Sequence, residues 1–153
     1  MATHWRAKQT VRSNPLRAEQ AHRTPRPLRV LLGEDQSGLR SLIRSTLMRD
    51  GYEVQEAEDG PTTLRALVAG LLEEQPRELD LLIADVRMPG FPSLELLARL
   101  RRENWFTPVI FITSSEDTAL HAEAARLGAA CVPDKPFELA DLWARMRMVL
   151  SPA

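Results

Sequence analysis

The sequence predicts an α/β domain: a parallel sheet wound with helices on both faces. Short apolar runs of strand length alternate five times with longer segments of helical period between residues 28 and 150. The connections are short and no segment repeats internally, which implies right-handed crossovers through the helices. The middle run, Leu79-Asp80-Leu81-Leu82-Ile83-Ala84-Asp85, is continuously apolar between its two charges, as a strand covered on both faces is.

The chain of 153 residues suits one domain with a proper core. Residues 1–27 stand apart, with Arg6, Lys8, Arg12, Arg17, Arg23 and Arg26 against Glu19, prolines at 15, 25 and 27, and no apolar period. They read as a disordered basic tail. An organelle transit peptide or an arm for an acidic partner are the alternatives, although only Trp5 offers a stacking aromatic. Residues 28–153 carry fourteen basic and twenty acidic residues, a net charge of −6, so the folded part does not attract nucleic acid by its own field. Cys131 is the one cysteine, which excludes an internal disulfide and fits a reducing compartment. It lies in an apolar stretch, as a buried small hydrophobe does. No run has transmembrane length, and the N-terminus lacks the apolar centre of a secretory signal. The expectation is a cytoplasmic protein with no membrane partner.

The first strand is Leu28–Leu32, ending at Gly33-Glu34-Asp35. Leu39, Leu42, Ile43 and Leu47 then recur at helical spacing until Asp50-Gly51. Tyr52–Ala57 alternates as an edge strand does, since Glu53, Gln55 and Glu56 are polar. Asp59-Gly60-Pro61 turns into a helix carrying Leu64, Leu67, Val68 and Leu71, with Pro61 in the first turn, where its missing N–H costs nothing. A polar link, Gln75–Glu78, leads to the central strand, and Met88-Pro89-Gly90 turns the chain after Asp85. Pro92 and Ser93 open a third helix with Leu94, Leu97 and Leu100. Pro108–Ile112 is the fourth strand, followed by a helix over Glu116–Leu127 whose apolar stripe is thin, so it is expected to be the least firmly anchored. Ala129–Val132 is the fifth strand, and the last helix carries Leu142, Trp143 and Met146 after Pro133-Asp134-Lys135-Pro136. Residues 151–153 are a short C-terminal end.

Open α/β sheets place their ligands at the C-terminal ends of the strands. Those ends supply Glu34, Asp35, Asp85, Thr113 and Lys135. Each has an ordinary explanation. Glu34-Asp35 suits a helix N-terminus, and Asp85 suits a turn cap. Thr113 suits an N-cap with Glu116 completing a capping box, a role that Ser114 or Ser115 fills equally well. Lys135 suits a solvated lysine. Together they form a chemistry. Three acids at one edge repel unless a cation sits among them, and hard oxygen ligands without histidine or thiolate indicate Mg²⁺. A hydroxyl and an ammonium facing the same acids suit a phosphoryl group accepted by a carboxylate, which makes Asp85 the candidate phosphoacceptor.

With these residues in hand, the chain resembles the receiver domain of two-component response regulators over residues 28–150. The resemblance is carried by Gly33-Glu34-Asp35-Gln36, Asp85-Val86-Arg87-Met88-Pro89-Gly90, Thr113 after an apolar strand, and Lys135-Pro136-Phe137. It implies a flavodoxin-like strand order 2-1-3-4-5. It implies phosphoryl transfer to Asp85 from a phosphohistidine on a sensor histidine kinase or histidine phosphotransfer protein. Asp35, Asp85 and the Arg87 backbone carbonyl are then Mg²⁺ ligands, with Glu34 acting through water. Thr113 hydrogen-bonds the phosphoryl group, Lys135 ion-pairs with it, and the Lys135–Pro136 bond is cis.

The chain departs from the family at Glu34, where aspartate is commoner, at Pro92-Ser93 in place of Asp-Gly, at Ser114 in place of alanine, and at Val132 in place of an aromatic. No residues remain for an output domain. The expectation is therefore a stand-alone phosphoacceptor, not a conventional enzyme, that signals to an unknown protein target. Its helix-four, strand-five, helix-five face is the candidate surface for a homodimer. A phosphorylation-independent interaction module is the alternative. A haloacid-dehalogenase-type hydrolase is disfavoured, because such enzymes need an acid where Arg87 stands. Nucleic-acid binding through the tail is the third rival.

Overall fold

Parallel strands need crossover connections of about a dozen residues, and the helical segments between the apolar runs supply them. The computed structural model describes residues 26–72 and 79–150. The basic tail before Arg26, the Gln75–Glu78 link and residues 151–153 lie outside the described residues. Strands β1 (Arg29–Gly33), β2 (Glu53–Ala57), β3 (Leu81–Asp85), β4 (Val109–Thr113) and β5 (Ala130–Pro133) form one sheet in the order β2-β1-β3-β4-β5. All four pairings are parallel. Helices α1 (Ser37–Arg49), α2 (Gly60–Leu72), α3 (Ser93–Arg102), α4 (Thr118–Arg126) and α5 (Leu139–Leu150) alternate with the strands. This is the doubly wound parallel sheet that the sequence predicts, in the flavodoxin-like order that the receiver resemblance implies.

Strand alternation divides the core into two layers. Leu81 and Ile83 of β3, with Ile110 and Ile112 of β4, face Ile43 and Leu47 of α1 and Leu142 and Met146 of α5. Leu82, Ala84, Val109 and Phe111 face the other way, against Leu67, Leu97 and Ala124 from α2, α3 and α4. Both central strands are buried at every position, whereas β2 exposes Gln55 and Glu56 as an edge does. Residue Val132 of β5 is fully buried in the first layer. Helix α4 buries only Ala124, in keeping with its thin stripe.

The strand starts shift by one or two residues for identifiable reasons. Strand β3 starts at Leu81, not Leu79, because the Asp80 carboxylate accepts the Arg29 N–H at 2.8 Å ahead of the ladder. Helix α4 starts at Thr118, because Asp117 caps it by accepting from the Leu120 N–H. The expectation that Thr113, Ser114 or Ser115 caps this helix is thereby corrected. Thr113 is the last residue of β4 and is spared for the sheet edge.

Two side-chain staples hold the frame behind the site. Arg101 of α3 donates to the carbonyls of Leu127, Trp105 and Thr107 at 2.8, 3.0 and 2.9 Å, tying the end of α3 to the α4–β5 turn. Arg145 of α5 donates to the Cys131 carbonyl at 2.9 Å.

The loop after β3 is packed hard against α2. A Cβ on Gly60 would lie 2.1 Å from the Pro89 carbonyl oxygen and 2.8 Å from Gly90. Gly90 itself needs its freedom, with φ +82°. Gly60→Ala is expected to displace the loop beside Asp85 and to cost about 1–3 kcal/mol of stability, as overpacking does. A lower urea midpoint at unchanged slope is the reading that checks it.

Candidate functional site

The register of β1 on β3 pairs Gly33 with Ala84, so the next residues on each chain, Glu34 and Asp85, emerge side by side. Alternation sends both toward the layer of α1 and α5, two residues beyond Leu32 and Ile83. Asp35 completes the group. One carboxylate oxygen from each of Glu34, Asp35 and Asp85 lies within 4.8 Å of the others. The three predicted acids are thus brought together at the C-terminal edge of the sheet. Glu34 is fully buried, Asp85 nearly so, and Asp35 is exposed at the mouth.

The electrostatics of the cluster are unbalanced. Glu34 Oε2 accepts the Gln36 N–H at 3.0 Å, while Oε1 is buried without a hydrogen-bond partner among the described residues. Burial, then the charge of Asp85, raises the Glu34 carboxyl from 4.5 to about 8 against the opposing pull of the Gln36 N–H. A buried, unpartnered oxygen within reach of two further carboxylates is what a cation, or a water carried by one, would satisfy. The donor set is oxygen only, so Glu34, Asp35 and Asp85 fit a hard divalent ion such as Mg²⁺.

The backbone under Glu34 is braced from outside. Arg40 of α1 donates to the Glu34 carbonyl at 2.9 Å and to Glu56 Oε1 of β2 at 3.3 Å, and Arg44 meets Glu56 Oε2 at 3.2 Å. Sequence reasoning missed this brace. Its one signal was two arginines one helical turn apart on the polar face of α1, opposite an acid of the edge strand.

Around the acids, Thr113 ends β4 almost wholly buried. The next residue, Ser114, offers its carbonyl to His121 Nε2 of α4 at 3.0 Å, a contact that joins the β4–α4 loop to the helix. The Arg87 N–H donates to Asp85 Oδ1 at 2.8 Å, so Asp85 does serve its turn as well as the cluster. Lys135 is exposed on the β5–α5 loop, before the cis Lys135–Pro136 bond, and makes no ion pair with the described residues. Its neighbour Asp134 instead pairs with the Arg87 guanidinium. No local sequence signal reveals that pair, whose members are far apart in the chain. Cys131 is partly buried, and desolvation raises its thiol from 9.0 to about 11, as suits a packing residue.

A model of the response regulator receiver domain family matches residues 30–147. The chain belongs to that family. The receiver domain is 35% identical over 123 residues to the transcriptional activator protein IrlR of Burkholderia pseudomallei, covering 80% of this chain and 50% of the relative. It is 32% identical to the transcriptional regulatory protein TrcR of Mycobacterium tuberculosis, covering 81% and 46%. The chain therefore spans about half the length of these curated relatives. Among solved structures, the non-phosphorylated HemR receiver domain of Leptospira biflexa is similar at TM-score 0.65 and 28% identity, covering 82% of this chain and 96% of that one. The chemotaxis response regulator CheY4 of Vibrio cholerae is similar at TM-score 0.64 and 28% identity, covering 81% and 99%. Among the described residues, no helix of this receiver domain is long and apolar enough to cross a membrane.

The raised carboxyl of Glu34 has a sign that can be checked. Without metal, folded Glu34 keeps its proton up to about pH 8, whereas the unfolded chain releases it near 4.5. The folded state binds more protons across that interval, so stability falls as pH rises through it. Thermal melts in chelator across the interval should show this loss, and Glu34→Gln should reduce it.

Proposed function

We propose that Asp85 accepts a phosphoryl group from a phosphohistidine of a sensor histidine kinase or histidine phosphotransfer protein, and that the domain then signals through altered protein contacts. The convergence of Glu34, Asp35 and Asp85, with a buried Glu34 oxygen left unpartnered, carries this reading. An Asp85 carboxylate oxygen attacks phosphorus. The P–N bond to the imidazole breaks, and its electron pair leaves with the ring nitrogen. Asp35, Asp85 and the Arg87 carbonyl would hold Mg²⁺, with Glu34 acting through water. Mg²⁺, when bound, supplies neutralising charge for the phosphoryl oxygens. Thr113 donates its hydroxyl to one of those oxygens, and the Lys135 ammonium pairs with another. The reaction changes the domain itself, so it is a phosphoacceptor and not a conventional enzyme.

The readout is a shift of population between two packings. The added charge draws Thr113 and Lys135 toward Asp85. Helix α4, which buries one residue fully, is the element whose displacement costs least. The face formed by α4, β5 and α5 is accordingly the surface for a downstream partner or a second copy of this chain.

Incubation with acetyl phosphate and Mg²⁺ should add the mass of one phosphoryl group, labile to base, and Asp85→Asn should abolish the gain. An unchanged mass would favour the phosphorylation-independent interaction module. Lys135→Ala should leave part of the uptake intact while weakening the accompanying change in amide spectra of α4 and α5. A full spectral response in that variant contradicts the role given to Lys135.

A further inference from the structure

A second ionic contact crosses the sheet edge beside the acid cluster. The Arg87 guanidinium, on the loop after β3, pairs with Asp134, on the loop after β5. Strand β4 lies between those two strands. Neighbouring strands are about 4.8 Å apart, so the pair reaches roughly 10 Å over the C-terminal end of β4. Thr113 stands at that end. The backbone anchors both sides of the strap: the Arg87 N–H donates to Asp85 Oδ1 at 2.8 Å, and the Asp134 N–H donates to the Thr113 carbonyl at 2.9 Å. The two side chains differ in freedom. That of Asp134 is 11% exposed and that of Arg87 is 52% exposed, so the guanidinium is the mobile member.

We propose that Arg87 is a phosphoryl-binding residue held in reserve by Asp134, and that a phosphoryl group on Asp85 draws the guanidinium away and unfastens the β5–α5 loop. This rests on the phosphorylation of Asp85 and names the contact through which it is felt. A phosphoryl group carries about −1.5 to −2 charge, against −1 on the Asp134 carboxylate, and its oxygens match the guanidinium fork. The strap joins the loops on either side of the strand that ends at Thr113, so a phosphoryl group on Asp85 that reaches for that hydroxyl comes within range of Arg87. Once released, Asp134 has lost the cation that joined its loop to the loop after β3. The β5–α5 segment, with Lys135, is then held by its remaining contacts.

The test compares the full chain with Asp134→Asn and Arg87→Ala, two side-chain changes that leave the Arg87 carbonyl in place. Uptake from acetyl phosphate with Mg²⁺ is followed by intact mass, and amide hydrogen exchange is followed over residues 132–139. Asp134→Asn frees the guanidinium and should speed uptake about two- to fivefold, the range of a partly exposed ion pair. Arg87→Ala removes a phosphoryl contact and should slow it by a similar factor. Exchange over residues 132–139 should rise in the unphosphorylated forms of both variants, and in the wild type only after phosphorylation. A merely structural bridge would move both uptake rates the same way, and that result, or exchange in either variant equal to wild type, overturns the strap. An adduct that forms on the wild type while uptake in both variants is unchanged also overturns it and leaves the phosphoacceptor reading standing. No adduct on the wild type removes both.

Discussion

The structure depends on a repulsion among carboxylates that a proton or a cation has to relieve. Three carboxylates meet at one edge of a sheet, one of them buried with an oxygen that has no hydrogen-bond donor among the described residues. Burial and the neighbouring charge hold Glu34 far from its ordinary titration range, so the cluster is balanced by a proton or by a cation. The frame around it keeps these groups together. The β1–β3 register places Glu34 beside Asp85, Arg40 braces the Glu34 carbonyl, and the close approach of Gly60 fixes the loop that follows Asp85. Holding these acids together costs folding stability, as strain kept at functional sites does.

The same edge divides into a firm part and a loose part. Both central strands are buried at every position, and Arg101 and Arg145 tie α3 and α5 to neighbouring backbone. Helix α4 has one fully buried residue, a side-chain cap at Asp117 and the His121 contact to the Ser114 carbonyl. The loop carrying Asp134 and Lys135 is joined to the loop after β3 through an ion pair with one solvent-facing member. Under the proposed phosphorylation, charge added at Asp85 would act on the elements least able to resist it, while the strands that hold the acids would stay in register. The buried strands carry the acids and the less anchored elements lie at the rim, a division that suits the proposed output through a change of surface.

Much of this was legible before any coordinates. The unbroken apolar run ending at Asp85 identified the central strand, the polar alternation of Glu53, Gln55 and Glu56 identified the edge, and the thin stripe of the fourth helix marked its weak anchoring. Errors arose where several polar residues compete within one turn. Thr113, Ser114 and Ser115 all suit an N-cap, yet Asp117 takes the role, because β4 continues through Thr113 and delays the helix. The Asp80 carboxylate likewise moved the start of β3, through a bond to a strand fifty-one residues away in the chain.

The sequence alone determined the alternation of strand and helix, the identity of the acids, hydroxyl and lysine at the strand ends, and the membership of one family. Those features are written in local periodicity and in residue type, which a linear reading captures. Only the tertiary structure decided which oxygen is left without a partner, which acid loses its ordinary titration range, that Arg40 braces Glu34, and that Arg87 reaches Asp134 and not the cluster. Burial and long-range pairing depend on how the strands are laid beside one another, and no stretch of chain contains that information by itself.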